Sequence, residues 1–223
     1  MALALFDLDN TLLAADSDYL WGVYLVEQGL VNKQLYDAAN QRFYDEYKQG
    51  TLDINEFLNF SLQPLSEHPL EKLNAWHQDF MQQHIRAVMT ESGKQQIQKH
   101  KRDGDTIVII TATNSFITQP IADAFGADAL IATEPECING QYTGKVDGIP
   151  CFQEGKITKL EQWIETSNDG ETTYTLDDSW FYSDSHNDIP LLEKVTFPVA
   201  VDPDDALRET AENRGWKITS FRT

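Results

Sequence analysis

Six short apolar runs mark out the chain, at residues 2–6, 106–110, 129–132, 180–183, 198–201 and 218–221. Each is nearly continuous in apolar residues, a pattern that suits strands covered on both faces, as in a parallel sheet. Helix-like patterns separate most of them, so the fold class is α/β. Residues 16–88 break this rhythm. Tyr19, Leu20, Val23, Leu25 and Val26, then Leu35, Phe43 and Tyr47, then Ile54, Phe57 and Leu58, then Leu73, Trp76, Phe80 and Ile85 recur at three- and four-residue spacing with no strand between them. That spacing predicts an all-helical cap inserted after the first strand, over a core made of residues 1–15 and 89–223. The cap's aromatic residues read first as its own core. Asn139-Gly140, set between short alternating runs in 136–152, predicts a β-hairpin, and the polar stretch 166–178 predicts a loop.

In open α/β sheets ligands bind outside the carboxyl ends of the strands. The residues just past the apolar runs are Asp7 and Asp9 after the first, Thr111 after the second and Asp184 after "WFYS". Residues two apart in an extended segment point the same way. Asp7 and Asp9 therefore repel unless a cation or a shared proton intervenes, and Mg²⁺ held by carboxylates would resolve that repulsion. Asp188, four residues beyond Asp184, returns to the same face within one helical turn. A calcium loop is the main competing pattern, because Asp7, Asp9, Thr11 and Asp18 fit its ligand spacing. Leu12 occupies the slot that needs glycine, however, and a strand rather than a helix precedes the loop.

Charge narrows the partners. The 223 residues carry 36 acidic and 17 basic side chains, a net charge of −19. Such a surface repels nucleic acid and anionic membranes, which need clustered Lys and Arg, and any site for an anionic substrate must supply its own cation. The two cysteines, Cys137 and Cys151, fit neither a metal spacing nor a disulfide framework. With no basic leader and no long apolar segment, a cytoplasmic protein with reduced thiols is expected.

The same residues carry a resemblance. "FDLDNTLL" resembles the first motif of the haloacid dehalogenase superfamily, "VIITATN" its second, "GKITKL" its lysine-bearing third and "YSDSHNDIPLL" its fourth. The C-terminal run from Pro198 is similar to that of the phosphoserine-phosphatase-like branch, which includes histidinol-phosphate phosphatases. The resemblance implies a Rossmann-like core and Mg²⁺-dependent phosphomonoester hydrolysis through an aspartyl-phosphate. In that scheme Asp7 is the nucleophile and Asp9 the general acid and base. Asp7, Asp184 and the Asp9 carbonyl hold the metal, with Asp188 anchoring it through water. Thr111 and Lys156 bind phosphoryl oxygens, with Lys159 a rival for the lysine role, and Thr113 and Asn114 join the substrate-binding set. Family dehalogenases lack the second acid, so Asp9 favours phosphate chemistry. A phosphotransferase or a phosphate-accepting module without turnover is the alternative function.

Phosphoserine phosphatases hold the substrate ammonium with a cap acid, for which Asp16 is the match, and the substrate carboxylate with a cap arginine. The corresponding helix here, "DINEFLNFSLQPL", has no Arg or Lys. A small phosphorylated amino alcohol without a carboxylate, such as histidinol phosphate, is therefore expected as substrate, unless Arg42 or Arg86 supplies the charge and phosphoserine is taken instead. His186, beside Asp184, reads as an exposed loop residue.

Overall fold

The computed structural model describes residues 2–168 and 173–222, apart from the Lys48 side chain. Seven strands form one sheet: β1 (Leu3–Phe6), β2 (Thr106–Asn114), β3 (Ala129–Ile138), β4 (Gln141–Asp147), β5 (Trp180–Ser183), β6 (Phe197–Val201) and β7 (Lys217–Thr219). Their order is β4-β3-β2-β1-β5-β6-β7, with every pairing parallel except β3 with β4. β1 is buried along its whole length. Its alternation sends Ala4 and Phe6 into one apolar layer, with Ile107, Ile109 and Tyr182, and Leu3 and Leu5 into the other, with Val108, Ile110 and Leu160.

From β1 the chain builds outward through β2 and β3 on one side and through β5, β6 and β7 on the other. The β1/β5 boundary is thus where the strand order reverses, the place where doubly wound sheets open a crevice at their carboxyl ends. β2 and β3 run past the ends expected from their apolar runs, β2 through polar Thr111–Asn114 and β3 into the hairpin. At the hairpin tip Asn139 and Gly140 both take positive φ, 52° and 79°, which a tight primed turn requires. Residues 169–172 of the expected loop lie outside the described residues. Its first two positions instead extend a helix, α7 below.

Between β1 and β2 the chain is helical: α1 (Ser17–Glu27), α2 (Lys33–Gln49), α3 (Ile54–Ser66) and α4 (Leu70–Phe80), then a wide turn at Met81–Ile85 and α5 (Glu91–Asp103). Asp16, Asn32 and Asp53 each accept a backbone N–H at a helix start, satisfying donors that the helix itself leaves open. The remaining helices are α6 (Ser115–Phe125), α7 (Glu154–Ser167), α8 (Ile189–Leu192) and α9 (Asp205–Arg214). Two side-chain hydrogen bonds join α2 and α3 to the sheet side of the molecule. The Gln141 side-chain amide donates to the Ser66 carbonyl at 3.4 Å, and the Tyr47 hydroxyl donates to Ser185 Oγ at 2.9 Å. Together these ties close the insertion over the carboxyl ends of β1, β2 and β5. No helix among the described residues is long and apolar enough to cross a membrane.

Candidate active site

Asp7 follows β1 directly. Its N–H continues the strand ladder by donating to the Tyr182 carbonyl at 2.9 Å, so the position of its side chain is fixed by the sheet. The next turn, Leu8–Leu12, is irregular. Asp9 is extended and Asn10 adopts a left-handed conformation with φ 58°, which asparagine tolerates better than most residues. This bend turns the Asp9 side chain towards the insertion. Asp9 accepts the Ser17 N–H at 2.6 Å and the Thr113 hydroxyl at 2.8 Å, with Thr111 Oγ1 at 3.4 Å.

Asp7 is buried with two different partners. Lys156 Nζ donates to its Oδ1 at 2.8 Å and also to Asp188 at 2.8 Å. Ser183 donates to Asp188 Oδ2 at 2.6 Å. The other oxygen of Asp7 shares Thr11 with Asp184: Thr11 Oγ1 lies 3.1 Å from Asp7 Oδ2 and 3.0 Å from Asp184 Oδ1. A hydroxyl has one hydrogen, so it can donate to only one of these carboxylates at a time.

The charges do not balance. Asp7, Asp184 and Asp188 face one ammonium, that of Lys156. Burial raises the Asp7 carboxyl to about 7 despite the nearby Lys156, and Asp188 and Asp9 add to the rise. Burial, followed by the charge of Asp7, pushes Asp184 well above the usual carboxylate range. Burial and the neighbouring Asp16 lift Asp9 to about 6. Burial alone would lower the Lys156 ammonium, but Asp188 and Asp7 outweigh it and hold it well above its ordinary value.

Among the described residues no three carboxylate, imidazole or thiol side chains close into a metal-binding group. The donors at hand are two carboxylates, Asp7 and Asp184, which converge on one hydroxyl with an excess of negative charge. Hard oxygen donors in that state suit a hard divalent cation such as Mg²⁺, which commonly binds one or two carboxylates and keeps several waters. Asp188 is engaged by Lys156 and Ser183, and the Asp9 carboxylate points elsewhere. Of the four expected metal residues, Asp7 and Asp184 are the two expected to contribute carboxylates, and these two carboxylates share Thr11; Asp9 is expected through its carbonyl and Asp188 through water.

A cavity opens from Asp7, Asp188 and Lys156 past Asp9, Thr111 and Thr113 into the inserted helices, where Asp16, Asp18 and a set of aromatic side chains line it. Among the described residues, Lys156 is the only Lys or Arg that lines it. Arg42 is exposed and bonded to Glu56 at 2.6 Å, Arg86 is exposed, and neither lines the cavity.

A sequence profile of haloacid dehalogenase-like hydrolases matches residues 4–193, which include Asp7, Lys156 and the Asp184–Asp188 turn. The chain belongs to the haloacid dehalogenase-like hydrolase family. Within the family it is a phosphatase by its relatives. It is 42% identical over 221 residues, 99% of each chain, to a protein named histidinol-phosphatase from Neisseria meningitidis serogroup C (strain 8013). A crystal structure of a protein of unknown function from Bordetella pertussis Tohama I superposes with a TM-score of 0.90 at 42% identity, covering 99% of this chain and 98% of that one. A substrate-bound phosphoserine phosphatase complex superposes at a TM-score of 0.69 and 21% identity, over 99% and 93% of the two chains, and so shares the fold.

The structure brings together most of the residues expected from the family motifs, but in different postures. Lys156 rather than Lys159 reaches Asp7; Lys159 is half-buried and has no ion pair among the described residues. Asp16 lines the cavity while also capping α1, accepting the Tyr19 N–H at 2.9 Å. Asn114 is a correction. It is fully buried, caps α6 by accepting the Ile117 N–H at 3.2 Å, and is not among the lining residues. Its place at the start of α6 turns its side chain back onto that helix, away from the cavity. His186 is also corrected: it is partly buried, with Nδ1 2.7 Å from Asp204 Oδ2, and it does not line the cavity. Thr11, which in the sequence fits only the competing calcium-loop pattern, links Asp7 to Asp184 through its hydroxyl, and the insertion's aromatics read in the sequence chiefly as core. Tyr36, Phe43, Tyr47, Phe57 and Phe60 all line the cavity.

Proposed function

We propose that this family member is a Mg²⁺-dependent phosphomonoesterase that works through an aspartyl-phosphate, with residues 16–88 acting as its cap. The observation that carries this reading is the buried Asp7 at the floor of the cavity, with Lys156 Nζ 2.8 Å from one of its oxygens. An Asp7 oxygen bonds to phosphorus as the ester P–O bond breaks, and the departing alkoxide takes a proton from Asp9. Water then attacks the phosphorus and returns its proton to Asp9, releasing phosphate and freeing Asp7. Splitting one hard displacement into two easier steps is the gain of covalent catalysis. A carboxyl held at about 6 is suited to giving up a proton and taking it back near neutral pH. Lys156 offsets phosphoryl charge in a dry site, where a fixed cation acts most strongly. Mg²⁺, held by Asp7 and Asp184, would supply further positive charge that lets an anionic nucleophile meet an anionic ester.

The substrate we infer is a small cationic phosphomonoester without a carboxylate, with histidinol phosphate as its representative. Beyond Lys156 the described residues lining the cavity include acids and aromatics but no other cation, and an unpaired carboxylate would be costly to bury there. The name of the Neisseria relative agrees with this choice. The two free thiols fit a reducing, cytoplasmic setting.

Phosphate release across a panel of phosphorylated metabolites should be fastest with histidinol phosphate, stop in EDTA and return with Mg²⁺. Full activity in chelator, or a preference for phosphoserine, would overturn the corresponding part of this reading.

A second expected result needs no turnover. For a carboxyl at about 7 in the folded chain against 3.8 when unfolded, the folded state keeps a proton that the unfolded state has lost across that interval. Stability from this group therefore falls as pH rises from about 4 to about 7, and the penalty is complete above that. A bound cation relieves it only where the carboxylates are ionised. Mg²⁺ should thus raise the melting temperature clearly at pH 8 and little at pH 4.5. Equal shifts at the two pH values would argue against binding at Asp7 and Asp184.

A further inference from the structure

The far wall of the cavity contains polar atoms with nothing to bond. Asp18 Oδ2, Trp21 Nε1 and Ser61 Oγ are enclosed and have no hydrogen-bond partner among the described residues. All three residues line the cavity. Trp21 is 2% exposed and Ser61 9%. A buried polar group left unpaired costs about 1–3 kcal/mol, and native folds leave few of them without a reason. Three in the wall of one cavity point to a ligand that satisfies them.

Their chemistry restricts that ligand. Asp18 and Trp21 sit three residues apart on α1 and so share a helix face. A carboxylate accepts hydrogen bonds, an indole N–H only donates, and a serine hydroxyl does either. The wall therefore asks for a donor and an acceptor on one small group. An ammonium offers no acceptor to Trp21, and a carboxylate group would face Asp18 with repulsion. The ammonium already has a different candidate partner in Asp16, nearer the mouth of α1.

We propose that Asp18, Trp21 and Ser61 form a ring-reading subsite for an azole, a flat heterocycle with one ring N–H and one bare ring nitrogen. Asp18 accepts the ring N–H, and the bare nitrogen, with one lone pair, accepts from the Trp21 indole N–H or the Ser61 hydroxyl. Tyr36, Phe43 and Phe60 cover the ring; they already pack on one another with centroids 4.7 and 5.4 Å apart. This subsite rests on the amino-alcohol phosphate reading above and deepens it, because it names the residues that select the ring.

The test compares histidinol phosphate with phenylalaninol phosphate, which keeps the phosphate, the ammonium and a flat ring but has no ring nitrogen. Wild type should prefer the imidazole compound, since a site built to hydrogen-bond rejects an analogue that leaves its polar groups unpaired. Asp18→Asn should lower kcat/KM for histidinol phosphate about 10- to 100-fold, the size of a hydrogen bond to a charged group. The loss should fall on KM, because the contact is remote from phosphorus, and phenylalaninol phosphate should be unaffected. Trp21→Phe and Ser61→Ala, which keep the packing, should give smaller losses in the same direction and stand in if Asp18→Asn does not fold. Equal use of the two compounds by wild type, or equal losses on both in the variants, would overturn the subsite while leaving phosphatase action intact. Hydrolysis of neither compound would overturn the amino-alcohol reading and the subsite with it.

Discussion

Asp7→Asn is expected to abolish turnover while leaving the molecule folded. The amide keeps an oxygen in place of Oδ1, which can still accept from Lys156, where the native contact is 2.8 Å. Its NH₂ would replace Oδ2 and donate to Thr11 Oγ1, which is free to give its own hydrogen to Asp184, 3.0 Å away. The hydrogen bonds therefore survive, and the one-proton conflict at Thr11 disappears. Removing a carboxylate whose burial already pushes it to about 7 also removes a charge that is costly to enclose. The variant should melt no lower than wild type at pH 8, and that is checked by a thermal scan. An amide is not a nucleophile towards phosphorus. By analogy with loss of the nucleophile in other covalent enzymes, kcat should fall by on the order of 10⁴ or more. A folded variant that kept even about a hundredth of wild-type activity would exclude Asp7 as the attacking group, since that loss falls far short of the loss of a nucleophile.

The residues that were legible in the sequence are those whose positions follow from a topological rule. Asp7, Thr111 and Asp184 each end an apolar run, and parallel strands deliver such residues to one edge of the sheet whatever the helices do. The helical character of the insertion was legible for a similar reason, because a three- and four-residue apolar period reports a helix face directly. Which way that face looks is a tertiary matter. Tyr36 and Phe43 have the same spacing as core residues, and only the arrangement of α2 and α3 over the strand ends makes them cavity walls.

Thr11 and Asn114 show the limit in both directions. Each is a small polar residue near a motif acid, and spacing does not separate them. The left-handed bend at Asn10 brings Thr11 back under Asp7, while the start of α6 directs the Asn114 side chain onto its own helix. The choice between Lys156 and Lys159 was open for a related reason, since three residues apart on α7 they share a face. The structure places Lys156 against Asp7, and the approach to the helix gives a reason. A side chain at Gly155 would collide with the Pro150 carbonyl oxygen, so glycine allows the tight entry that carries Lys156 to the floor of the site.

That placement makes Lys156→Ala the most damaging change expected outside the nucleophile, because it acts on both stability and rate. The ammonium is 2.8 Å from both Asp7 and Asp188, and all three groups are buried. Removing one partner of a buried ion pair costs about 3–5 kcal/mol, since the remaining charge is left uncompensated. Without the lysine Asp7 loses the charge that lowers its carboxyl and rises further. The carboxyl can escape the penalty by taking up a proton, so the destabilisation should be mild near pH 5 and severe near pH 8. Melting temperatures at the two pH values check this directly. In catalysis the loss of one fixed donor facing the transferring phosphoryl group should remove about 2.7–4 kcal/mol of transition-state stabilisation, seen in kcat at a temperature where the variant is folded. Lys159→Ala serves as the contrast. That side chain is half-buried with no ion pair among the described residues, so its loss should change stability by no more than about 0.5 kcal/mol and leave kcat near wild type. If Lys159→Ala proved the more damaging of the two, the phosphate-facing cation would have to be reassigned.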